Sequence, residues 1–255
     1  HIEGAAYASL IAQMVMAVLS AVYLIKKTDI SLRLRFPWNK EIGNFALMIL
    51  NLFVRTLALN VTLYFATRFA TGYGKEYIAA YTIGINLWFL GAVMIDGYAS
   101  AGNILSGKLL GSKSYGQLIS LSNKLIKYGI FCGIILATVG AIFYFPIGRI
   151  FIDEAIVLDK FYEIFWIILA MQPLCALAFI FDGMFKGMGK MKYLRNLLLL
   201  STGLVFLPIL FWLDSYNLKL YAVFIALTLW IIARGIPLII KFRMMFLERS
   251  QLTKS

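Results

Sequence analysis

The chain has 255 residues, 62% of them hydrophobic and only 14% charged, and its mean hydropathy is +0.84. A soluble chain carries roughly 25% charged residues, so this composition excludes a water-soluble globule. The formal net charge of +12 fits either nucleic-acid binding or a membrane protein with basic cytoplasmic loops, and the placement of the basic residues decides between them.

A bilayer-crossing helix needs about 20 mostly apolar residues. Seven such runs occur in chain order, at 4–25, 43–70, 77–105, 120–145, 161–185, 193–213 and 219–240. The prediction is an all-α, polytopic membrane protein: a first span within 1–25, a six-span block over 43–240 and a polar tail at 241–255. Between the first two parts, 26–42 places Phe36, Pro37 and Trp38 among basic residues, the composition of an interfacial segment.

Seventeen of the 24 basic residues lie in alternate connections on one side, represented by Lys26, Lys108, Lys190 and Lys241. Five lie on the other side, and Arg55 and Arg234 fall inside spans. Short loops rich in Lys and Arg stay in the cytoplasm, so the C-terminus is expected there and the charge reflects topology rather than nucleic acid. With seven spans the first must then run inward from an exterior His1. That start, without an initiator Met, leads to the expectation that the chain is a fragment.

The inventory of reactive groups is short. His1 is the only histidine, which removes a histidine-based triad, a zinc cluster and histidine-ligated haem. Cys132 and Cys175 both fall within spans, outside any pair motif, and read as small apolar residues. Neither Gly102 to Lys108 nor Gly183 to Lys190 has the order of a phosphate-binding loop. The last span lacks the internal lysine that a retinal Schiff base requires, and Arg234 stays protonated. No enzyme centre, metal or resident cofactor is expected.

Ionisable residues within spans usually face a partner or a water-filled cavity. Arg55 and Asp96 lie at matching depths, roughly 15–18 Å from the cytoplasmic ends of the second and third spans at 1.5 Å per residue. Adjacent antiparallel helices would pair them; otherwise Asp96 stands alone and exchanges a proton itself. Asp182 precedes Lys186 by four residues, the spacing of a local helix pair, and Arg234 is its alternative partner. Asn51 and Asn60 in the second span and Asn86 in the third extend the candidate solute or ion pathway, or serve as polar glue between helices. Gly84, Gly91, Gly97 and Gly102 punctuate the third span and Pro173, after Gln172, interrupts the fifth. Gly97 and Pro173 are the candidate hinges, with close helix packing as the alternative. The aromatic residues, 15% of the chain, form interfacial belts or enclose an aromatic or cationic solute.

The stretch NLFVRTLALNVTLYFATRFATGYGKEYIAAYTIGINLWFLGAVMIDGYASAGNILSGKLLG, residues 51–111, resembles the C-terminal lobe of multidrug and toxic compound extrusion (MATE) transporters, particularly the DinF-like branch of the MOP superfamily. The marks are Arg55–Thr56, Asp96–Gly97, the GKLLG at Gly107 to Gly111, and a second DG pair, Asp182–Gly183, followed by KGMGK. GAAYASLIAQ near the start is similar to the sixth of twelve spans, so the resemblance covers essentially the whole chain and makes it spans six to twelve.

The resemblance implies one lobe of a two-lobe secondary antiporter in the bacterial inner membrane. Such a carrier exports small organic, often cationic or amphipathic, compounds by alternating access, coupled to H⁺ or Na⁺. It also implies a missing N-terminal lobe, without which the fragment does not transport. The aspartate implicated in H⁺ coupling belongs to the family's first span and has no counterpart here, which leaves both coupling ions open. The alternatives are a lipid-linked saccharide flippase of the same superfamily, which needs several basic residues for a pyrophosphate, and a non-transporting accessory subunit.

Overall fold

The computed structural model describes residues 2–27 and 41–252, and divides after Asn44 into two compact units. The expected interfacial segment at 26–42 lies mostly outside the described residues. In the first unit, α1 (Ile2–Lys27) is a 26-residue apolar helix.

The second unit is built from α2 (Glu41–Gly72, from Phe45 onward), α3 (Lys75–Gly111), α4 (Tyr115–Ile142), the short α5 (Tyr144–Phe151) and α6 (Ala155–Gly187). It continues with α7 (Met191–Leu200), a π turn (Ser201–Phe206), α8 (Leu207–Ser215) and α9 (Leu220–Leu252). Among the described residues, six helical stretches are long and apolar enough to cross a membrane, with α7 to α8 acting as one; Leu10–Lys26 of α1 is a shorter apolar stretch. The segment expected as a tail from residue 241 continues as helix in α9 as far as Leu252.

Apolar side chains alone do not hold helices together in lipid, so close packing and polar contacts must do so. The most apolar window of α6 is 61% buried and those of α2 and α4 are 22% buried, which makes α6 the axis of the unit. It packs against α3, α4 and α9. A Cβ added to Gly183 would stand 2.2 Å from the Ala99 carbonyl oxygen, and one on Gly187 1.9 Å from that of Asn103. Both are far inside van der Waals contact with backbone that cannot swing away, so α3 and α6 touch main chain to main chain. On the α4 side, a Cβ on Gly133 would meet Pro173 Cα at 2.7 Å.

This changes the reading of the glycines. Gly84, Gly91 and Gly102 each face a side chain of α6, so packing explains them. Around Gly97 nothing lies within 4 Å of a built Cβ, so packing does not explain it. α6 runs unbroken through Pro173 from Ala155 to Gly187.

Two local features were not legible as elements in the sequence. In α5, Tyr144 donates to the Tyr162 carbonyl at 2.6 Å while Tyr162 donates to the Phe145 carbonyl at 2.7 Å, which clips this eight-residue helix onto α6. In the span 193–213, the Leu207 N–H reaches back five residues to the Thr202 carbonyl. Pro208 follows directly and has no N–H; the wider turn spares its ring a clash with the preceding carbonyls.

Polar bonds help to place α2. Asn51 accepts from Arg195 Nη1 at 2.6 Å, Thr62 bonds Thr202 at 3.0 Å, Thr67 donates to Tyr81 at 3.3 Å, and Tyr73 donates to Asp214. Tyr73 sits in the α2–α3 turn, and burial, followed by the hydrogen bond and charge of Asp214, raises its phenol well above the usual 10.0. The fold therefore favours the neutral phenol. Its contribution is complete below about pH 10 and is lost as pH rises above that value.

Two measurements check these points. Gly183→Ala is expected to cost about 1–3 kcal/mol through overpacking, read as a Tm several degrees lower in detergent, whereas Gly97→Ala leaves Tm unchanged or raises it. Tyr73→Phe is expected to flatten the fall in Tm between about pH 10 and 12 relative to the parent chain.

Candidate functional site

Five charged residues of α2, α3, α6 and α9, namely Arg55, Asp96, Asp182, Lys186 and Arg234, line one cavity of about 260 Å³. Asp182 of α6 is its electrostatic centre. Arg55 Nη2 of α2 donates to both carboxylate oxygens at 2.7 Å, Lys186 Nζ lies 2.7 Å from Oδ2, and Arg234 Nη2 of α9 lies 3.8 Å from Oδ1. Arg55, Asp182 and Arg234 are all buried, at 7%, 6% and 4% exposure. One carboxylate thus faces three cations in a medium where each charge is costly to bury unpaired.

The expected partnership of Arg55 with Asp96 is corrected. Asp96 lies on an exposed face of α3 and, among the described residues, makes no ion pair within 4 Å. The reason is burial. Depth in the bilayer matched Arg55 to Asp96, but Asp182 is the carboxylate enclosed with Arg55 between helices, and a buried guanidinium takes the partner that shares its desolvation. The expected i,i+4 contact of Asp182 with Lys186 and its approach to Arg234 coexist, as two arms of the same cluster. Asp96 nevertheless lines the same cavity as Arg55, Asp182 and Arg234.

The asparagines are elsewhere. Asn51 is buried against Arg195 and donates to the Leu47 carbonyl at 2.7 Å. Asn60 and Asn86 are exposed and turn back to carbonyls of their own helices, those of Thr56 and Thr82. None of the three lines this cavity.

Aromatic walls complete the site. Arg234 Cζ lies 4.6 Å from the Trp230 ring centre and 5.9 Å from that of Phe179, while Trp88 donates to Cys175 Sγ at 3.2 Å. The sequence left the aromatic residues open between interfacial belts and a solute enclosure and singled out none of these rings. The signal was their helical spacing: Phe179 precedes Asp182 by three, Trp230 precedes Arg234 by four, and Trp88, Ala92 and Asp96 recur every four residues. Gly183, beside Asp182, lets α6 approach α3 closely enough to hold the carboxylate between helices.

The MatE family model matches residues 48–212, well over half of the chain. The chain belongs to the MatE family. It is 30% identical over 196 residues to Protein DETOXIFICATION 45, chloroplastic, of Arabidopsis thaliana, covering 75% of this chain and 34% of that protein. With Protein DETOXIFICATION 42 of the same plant it shares 26% identity over 75% of this chain and 37% of the relative. The chain thus spans about a third of the length of these curated relatives.

Among solved structures, an outward-facing multidrug resistance MATE family transporter of the MOP superfamily superposes with a TM-score of 0.84 at 23% identity. That match covers 99% of this chain and 57% of the other. The MATE transporter VcmN of Vibrio cholerae, in its bent form, gives 0.82 at 18% identity, covering 97% and 57%. These likenesses establish the fold: a multi-pass, all-helical membrane protein with the architecture of one lobe of a MATE transporter. MATE family members are transporters.

Removing Asp182 leaves three clustered cations without a counter-charge. Asp182→Asn is therefore expected to cost about 3–5 kcal/mol, seen as a marked loss of Tm, whereas Asp96→Asn leaves Tm nearly unchanged. A smaller effect at Asp182 than at Asp96 would contradict the assignment of the buried partner.

Proposed function

We propose that this MatE chain forms one half of a secondary active antiporter, in which the cavity beside Asp182 binds a small organic solute during alternating access. The observation that carries this reading is a buried Arg55–Asp182–Arg234 cluster, joined by the half-buried Lys186, opening onto a cavity that also holds an unpaired carboxylate, Asp96. A cation arriving at Asp96, H⁺ or Na⁺, changes the charge facing the cluster, and Gly97 beside it has room to move. Differential binding of ion and solute to two lobe positions is the physical requirement of exchange. A second helical lobe closes the cavity. The seventeen basic residues on one side support a cytoplasmic C-terminus, and the DinF-like motifs support the bacterial inner membrane.

Lys186 raises the cationic wall to three residues, which favours a lipid-linked saccharide flippase as the second reading, since a pyrophosphate needs several basic partners.

Proteoliposomes containing the two-lobed transporter, this chain joined to its second lobe, and loaded with a panel of labelled organic cations and anions test the first reading under imposed ΔpH or ΔNa⁺. Gradient-dependent flux of at least one solute is expected, and Asp96→Asn is expected to abolish the gradient dependence without lowering Tm. Flux indifferent to both gradients would overturn antiport.

A further inference from the structure

The charges around the cavity do not balance. Arg55, Lys186 and Arg234 bring three positive charges to its wall, and Asp182 and Asp96 are the only acids among the lining residues. Asp182 is already engaged by all three cations, and Asp96 lies more than 4 Å from each. The wall therefore carries a net positive charge in a setting that screens it poorly.

Hydrogen-bonding capacity is unspent in the same place. A guanidinium offers five N–H donors. The Arg234 side chain makes no hydrogen bond to the described residues, only its 3.8 Å ion pair and its positions over Trp230 and Phe179. Arg55 Nε is buried without a partner. Buried donors normally find acceptors, and a guanidinium's fork matches a carboxylate or phosphate oxygen pair. The remaining wall is flat and apolar, supplied by Trp88, Phe89, Phe179 and Trp230.

Resting on the reading of this cavity as a solute site, we propose that its solute is an organic anion: a compact aromatic or otherwise flat monocarboxylate, or an oxyanion of like size. Its charged end sits at Arg234 and Arg55, and its apolar body lies against the rings. This reverses the cationic substrate expected from sequence resemblance. An organic cation in the same place would face a wall of net charge of its own sign and leave the free donors of Arg234 unfilled. Asp96, on the same cavity but more than 4 Å from the three cations, becomes the position where the coupling ion offsets the negative charge of the solute.

Equilibrium dialysis of the purified protein against 2-naphthoate, 2-naphthamide and 2-naphthylmethylammonium separates charge from shape, since the three share one ring system. The carboxylate is expected to bind at least about tenfold more tightly than either analogue. Arg234→Gln is expected to remove that preference while leaving amide binding unchanged, and Arg234→Lys to retain part of it. Arg234→Gln keeps Asp182 paired with Arg55 and Lys186, so the cluster survives the change. Lys113→Gln, in the α3–α4 turn, is the neutral control and leaves all three affinities as they were.

The same probes in proteoliposomes of the two-lobed transporter distinguish the two failures. Gradient-driven flux of the ammonium compound but not of the carboxylate would overturn the anionic solute and leave the transporter reading standing. No binding and no flux of any of the three would overturn the solute site, and this inference with it.

Discussion

Everything about the second unit turns on keeping charge inside a membrane-embedded helix bundle. Removing an ion from water costs several kcal/mol even after relaxation, and that cost is offset only by close partners with good geometry. Asp182 supplies the compensation for three helices at once: it fixes Arg55 of α2, the neighbouring turn of its own helix through Lys186, and Arg234 of α9. This ion pair, with Asn51–Arg195, Thr62–Thr202 and Tyr73–Asp214, ties α2 to the remaining helices alongside the core contacts of Ala58, Ala66 and Ala70 and the packing of Phe65 and Phe69 on Phe211.

Glycine makes that arrangement sterically possible. The carboxylate reaches the cluster because α6 presses against α3 at Gly183 and Gly187, where a single methyl group would collide with backbone carbonyls. On its other side, α6 accepts Gly133 of α4 against Pro173. The axial helix is thus held by backbone proximity on two sides, and its polar face is left for the cavity. Gly97 differs in that open space surrounds it, next to the one acidic group of the cavity that has no ion-pair partner.

Membership of the MatE family and the superposition on MATE transporters establish the scaffold, and the cavity chemistry is particular to these side chains. Two cationic groups, Arg55 and Arg234, are enclosed with one carboxylate, and Lys186 reaches the same oxygens from a more exposed position. An excess of charge on such a wall acts over distances at which van der Waals contact is negligible. The rings of Trp230 and Phe179 stabilise Arg234 through their faces.

Taken alone, the sequence determined the class of protein, the number and place of the spans in the second unit, and the short set of ionisable residues worth attention. These follow from run length, composition and residue identity, which a bilayer reads one helix at a time. It also carried Asp182–Lys186, because i,i+4 contacts lie within one helix. Only the tertiary structure decided that Arg55 binds Asp182 rather than Asp96, that Gly91 and Gly183 are packing positions, that Asn60 and Asn86 turn away from the cavity, and that Trp230 belongs to its wall. Those outcomes depend on which helices are neighbours and how each is rotated about its axis. Depth along a span says nothing about either, so two carboxylates at similar depths look equivalent until packing buries one and exposes the other.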